Sequence, residues 1–138
     1  MSKALNYLGI ARMSGNIEIG EDNSKELVKA GKARLLLVAS DTSDAAKRRA
    51  EGYVYGFSTP LAELPFTKAE ISQQVGKPGC SMAAVRDLGL AASMAEALAS
   101  EYGERYAPLA AELREKLQKI RTRKVTKGAK TGNRRNRE

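Results

Sequence analysis

The chain of 138 residues has no histidine, no tryptophan and one cysteine. Without histidine it lacks the commonest general base and the commonest transition-metal ligand. A single thiol, Cys80, cannot close an internal disulfide or build a thiolate cluster. No G-x-x-x-x-G-K-[S/T] loop is present, so Gly76-Lys77-Pro78-Gly79-Cys80-Ser81 is not a phosphate-binding loop of that type. Long apolar runs are also missing. The longest, residues 35–39, is far shorter than the roughly 20 residues that span a bilayer. Residues 5–11 are broken by Asn6, Tyr7 and Gly9, so no signal-peptide apolar region is read there. These absences lead us to expect a cytoplasmic protein that is not an enzyme, with no membrane, metal or cofactor.

What is present is charge, unevenly spread. The net charge is +8. Residues 1–112 hold 13 Lys/Arg against 14 Asp/Glu, and residues 113–138 hold 11 against 2. A near-neutral body thus carries a basic C-terminal stretch, the pattern of an arm that meets a polyanion. The apolar share of 42% supports one modest core, and five tyrosines and two phenylalanines make that core mainly aliphatic.

The hydrophobic pattern alternates between helix and strand periods. Residues 2–13 read as a helix capped by Ser2, with Leu5, Leu8 and Ala11 on one face. Ser14-Gly15-Asn16 is turn chemistry, and Ile17-Glu18-Ile19 is a short strand with one buried side. Gly20 turns the chain into a second helix near 22–30, capped by Asp22 or Asn23 and closed by Gly31. Residues 34–39 form a buried strand, and a third helix begins within 40–43 and ends near Gly52. A strand is expected near 61–64. Thr67-Lys68-Ala69-Glu70 is a capping box for a fourth helix that stops at Gly76. Residues 82–85 are a strand, and Asp87 opens a fifth helix reaching about Tyr102. The expected fold is a three-layer α/β/α sandwich with a central mixed four-stranded sheet. We expect domain limits at 1–103, then an amphipathic helical extension at 104–121 with Leu109, Leu113, Leu117 and Ile120 as its stripe. A disordered basic tail at 122–138 follows.

Four places offer chemistry. The helix start after Gly20 presents unsatisfied N–H groups and a positive dipole end, with Asn23, Ser24 and Lys25 beside it. Local sequence also fits a plain capped helix there. Asp41-x-x-Asp44 pairs two carboxylates, whose ordinary role is to cap a helix and sit in its first turn. The loop ending in Cys80 has no neighbouring base to activate a nucleophile and suits contact with a partner. The tail carries Lys119, Arg121, Arg123, Lys124 and Lys127, then Lys130, Arg134, Arg135 and Arg137, with no acid among them. It would neutralise phosphates without reading sequence.

Three segments in order, "YLGIARMSGNIEIG", "GEDNSKELVKAGKARLLLVASDTSD" and "TKAEISQQVGKPGCSMAAVRDLGLA", resemble the kink-turn-binding ribosomal proteins, the L-seven-Ae family. The likeness is strongest to their small bacterial YlxQ-like branch and covers about residues 3–100. The spacing of Gly15, Gly20, Gly31 and Asp41 is its most specific part. The resemblance implies a non-catalytic, ribosome-associated protein that binds kink-turn RNA by two surfaces. One is the helix start: Gly20, Asp22, Asn23, Ser24 and Lys25, with Lys29 and Lys32 farther on. The other is the loop before the last strand: Lys77, Pro78, Gly79, Cys80, Ser81 and Met82. The family's Asn-Glu pair is replaced by Asp22 and Asn23, a lysine by Glu26, and an arginine by Ala30. The rival expectation keeps the fold but makes it a protein-interaction module. Its stripe at 109–120 would dock a partner, and its tail would tether RNA non-specifically.

Overall fold

Ser2 opens the first helix. In the computed structural model, which describes residues 2–131, α1 spans Lys3–Met13, and the Ser2 hydroxyl accepts from the Leu5 amide at 3.2 Å. Other donors at this helix end are met from far along the chain. The Glu101 carboxylate accepts from the Ser2 hydroxyl at 2.7 Å and the Lys3 amide at 2.8 Å. Those bonds hold Glu101 below the usual carboxylate range.

The chain then runs β1 Ile17–Ile19, α2 Glu21–Lys29, β2 Leu35–Val38, α3 Asp44–Val54, β3 Leu61–Glu63, α4 Lys68–Val75, β4 Met82–Val85 and α5 Leu88–Tyr102. A 3-10 turn, Glu104–Tyr106, leads into α6, Ala107–Thr131. The strands form one mixed sheet in the order β1-β4-β2-β3. β4 is antiparallel to β1 and β2, and β2 is parallel to β3. The residues that follow β1, β2 and β3 and those that precede β4 therefore gather at one end of the sheet.

Strand alternation divides the core. Leu35, Leu37, Ala83 and Val85 face a layer built from α1, α4, α5 and α6. Leu36, Val38, Met82 and Ala84 face Leu27 and Val28 of α2 and Ala50 of α3. Both faces are covered, which is why β2 is apolar throughout. This is the three-layer α/β/α sandwich with a mixed four-stranded sheet.

The C-terminal region departs from expectation. Tyr106, Ala110 and Leu113 are buried in the same cluster as α5, and Leu117 and Ile120 pack against it. The Tyr106 hydroxyl donates to the Glu63 carbonyl at 2.6 Å, tying the 3-10 turn to β3. Residues 104–121 thus pack into the domain, and the stripe that the rival expectation left open to a partner is spent on the protein's own core. α6 also continues to Thr131, past the expected start of disorder at 122. No proline interrupts this stretch, its Lys and Arg residues are good helix formers, and the helix extends from a packed nucleus. Arg134, Arg135 and Arg137 lie outside the described residues.

Candidate nucleic-acid interface

Gly20 caps α2, where Asp22 or Asn23 was expected. Its amide donates to the Met82 carbonyl at 2.9 Å, fixing the end of β1 to the start of β4. Its φ of 101° is strained for any residue with a Cβ. Space is not the constraint, since nothing lies within 4 Å of a Cβ built there. Asn23 takes another role. Its Nδ2 donates to the Ile19 carbonyl at 3.0 Å, and Asn23 is otherwise exposed.

Helical phase sorts the neighbours. Asp22, Asn23, Lys25 and Glu26 are exposed, while Ser24 turns inward with Leu27 and Val28. Ser24 is fully buried, and its hydroxyl has no hydrogen-bond partner among the described residues. It cannot contact a ligand, contrary to expectation. Lys29 and Lys32 are exposed but lie at the other end of the helix. The nine residues of α2 put them about 13 Å from its start. They do not join Asn23.

The loop before β4 shares the sheet end with Gly20. The Cys80 amide donates to Ser72 Oγ at 2.9 Å. The Ser81 carbonyl accepts from the Ala39 amide at 2.9 Å and from Thr42 Oγ1 at 3.1 Å. With both flanks held, Lys77, Pro78 and Gly79 form an exposed tip, and Ser81 is half-buried. Cys80 and Met82 were expected at the surface, but each is buried. Their side chains belong to opposite layers of the core. Burial pushes the Cys80 thiol up, away from the thiolate that reactivity needs.

Sequence reasoning missed the clasp behind the site. Glu21 accepts from Arg49 Nη2 at 3.0 Å, from Arg49 Nε, and from the Tyr53 hydroxyl. The Arg49 bond, then the Tyr53 bond, hold its carboxyl down at about 2. The same contacts raise Arg49 and Tyr53. Lys25 Nζ sits 5.6 Å from the Tyr53 ring centroid, a cation–π placement. Glu21 and Arg49 are far apart in sequence, so no local pattern reveals the pair. The run Tyr53-Val54-Tyr55-Gly56-Phe57 was the visible clue to an aromatic surface here.

The Asp41-x-x-Asp44 pair is structural. Asp41 accepts from the Lys68 amide at 2.8 Å, serving α4 and not α3. Ser43 caps α3 and Asp44 sits in its first turn. Among the described residues no cluster of three or more His, Cys, Asp or Glu could hold a metal, and no helix is long and apolar enough to cross a membrane. Lys119 and Arg121 are exposed on α6, and Arg123, Lys124, Lys127 and Lys130 fall within its span.

The layer order, the sheet order and the glycine-led start of α2 beside the loop before β4 define an α/β/α fold of the L-seven-Ae type. Solved structures agree in fold. A protein of unknown function from Bacillus halodurans C superposes with TM-score 0.66 at 20% identity, covering 71% of this chain and 98% of that one. The Giardia lamblia 15.5 kD RNA-binding protein does so with TM-score 0.57 at 18% identity, covering 70% and 82%. No family model matches the sequence. The RNA-binding protein YlxQ of Enterococcus faecium is 34% identical over 76 residues, which cover 55% of this chain and 73% of that protein. The chain belongs to the YlxQ family.

Proposed function

We propose that this is a non-catalytic, cytoplasmic RNA-binding protein, associated with the ribosome, that recognises kink-turn or similarly bent RNA. The observation that carries the reading is the hydrogen bond from Gly20 to Met82, which sets the start of α2 beside the Lys77-Pro78-Gly79 tip. The name of the Enterococcus relative supports RNA as the ligand class.

Each exposed group has a task in such a complex. The first amides of α2 and its dipole favour a backbone phosphate. Asn23 Oδ1, on an exposed side chain whose amide nitrogen is bonded to Ile19, accepts from a guanine amino group in an opened groove. Lys25 and Lys77 supply cations for flanking phosphates. Pro78 and Gly79 offer a flat edge to an extruded nucleotide; of the loop residues expected at the interface, Cys80 and Met82 are buried and take no part. Exposed Glu26 opposes phosphate and weakens the surface.

The rival reading relied on an open stripe along 109–120. Leu113 is fully buried against the core, so that stripe does not offer itself to a partner.

The test titrates the full chain against a kink-turn RNA and a straight duplex of equal length at physiological salt. The expected result is a preference for the kink-turn of about tenfold or more, lost in Asn23→Ala. Equal affinity for the two RNAs overturns the reading.

A further inference from the structure

The far end of α2 carries a second surface that Asn23 does not reach. Tyr55 is 87% exposed and Phe57 38% exposed, on the turn that follows α3. This turn is held, not loose. Thr59 Oγ1 donates to the Ala33 carbonyl at 2.9 Å, and Lys116 Nζ to the Ser58 carbonyl at 2.6 Å. The turn is thereby fixed beside the start of β2. Lys29 Nζ lies 5.9 Å from the Phe57 ring centroid. Lys29, Lys32 and Arg34 are exposed and make no ion pair among the described residues. A cavity of about 220 Å³ adjoins, lined by Arg34, Ser58, Lys116 and Lys119 among others. The two lysines of α6 pair with Glu112 and Glu115, so the uncompensated charge belongs to the α2–β2 side.

Two accessible aromatic rings on one turn, with Lys29 beside Phe57 and Arg34 lining the adjoining cavity, suit one ligand chemistry. A nucleobase stacks on a ring whatever its identity, and the phosphates on either side meet the cations. A duplex keeps its bases inside the stack and has none to offer. We infer that this surface holds a single-stranded RNA segment, with a base stacked on Tyr55 or Phe57 and neighbouring phosphates on Lys29, Lys32 and Arg34. The site stands apart from the start of α2, so it does not depend on kink-turn recognition.

The test uses the full chain and a labelled oligouridylate of about twelve nucleotides, long enough for one such site. Anisotropy titrations compare the parent with Tyr55→Ala, Tyr55→Ala/Phe57→Ala and Asn23→Ala. Inorganic polyphosphate, which has charge but no bases, competes in parallel. The expected result is a loss of roughly five- to hundredfold in oligouridylate affinity for the two aromatic variants. Polyphosphate binding stays the same, and Asn23→Ala binds the oligonucleotide like the parent. Tyr55→Trp retains binding and, as the sole tryptophan, is quenched on saturation. Tyr55 is mostly in solvent, so its replacement leaves the fold intact, which circular dichroism checks. Oligouridylate binding by the aromatic variants within about twofold of the parent overturns the proposal. So does an equal loss for polyphosphate, or unchanged Tyr55→Trp emission at saturation.

Discussion

Ser24 and Asn23 are neighbours with opposite fates, and helix phase decides between them. Leu27 and Val28 set the inward face, and a residue three and four positions earlier shares it. The phase was there to be read in the sequence, yet Ser24 was expected on the binding surface; the burial of Cys80 and Met82 depended instead on strand register and the tether to Ser72. A buried hydroxyl without a partner is a cost, so Ser24→Ala should raise stability by about 1 kcal/mol in urea unfolding. It should leave RNA affinity unchanged. A fall in affinity would return Ser24 to the interface. Glu26 is the opposite case, an exposed acid on the same helix as Asn23 and Lys25. Glu26→Lys should strengthen kink-turn binding by about fivefold in the same titration, without moving the unfolding midpoint.

At the level of elements, α2 is held to α3 by Glu21, Arg49 and Tyr53. Glu21 is more acidic folded, at about 2, than the ordinary 4.5 it returns to on unfolding. Its stabilisation is therefore complete above about pH 5 and fades as pH falls toward 2. With Arg49 half in solvent, screening leaves about 1 kcal/mol at neutral pH. Urea midpoints of the parent and Glu21→Gln should differ at pH 7, and the gap should narrow steadily as pH falls from about 5 toward 2. A constant gap would place the effect in packing and not in charge. The helices up to residue 54 and the capping box at Thr67 were legible because caps and glycines punctuate them. Residues 55–60 were not, because their aromatic turn has neither period. The role of α6 stayed open in the sequence, because its narrow stripe looks the same whether it meets a partner or its own core. Leu113→Ala should cost roughly 2–5 kcal/mol, as for a filled core position, measurable by thermal or urea unfolding.

The whole molecule joins a near-neutral body to a basic C-terminal stretch. The alternation of elements and the three resembling segments made the layered fold legible, but sequence could not show that residues 104–121 complete it. If the stretch neutralises four to six phosphates, log K should fall with log salt at a slope of roughly −4 to −5. A chain ending at Thr122 keeps the packed part of α6. It should show a shallower slope with its preference for bent RNA intact, and an unchanged slope would move the phosphate contacts onto the body. One topological feature reaches into the making of the protein. Among the described residues β4 comes last of the strands yet lies between β1 and β2, and β1 has no other strand partner. As the chain emerges during synthesis, β1 waits and one flank of β2 stays open until residues 82–85 have appeared. Most of the domain must be translated before the sheet can close. In that interval an apolar strand is available to chaperones, or to a second nascent copy.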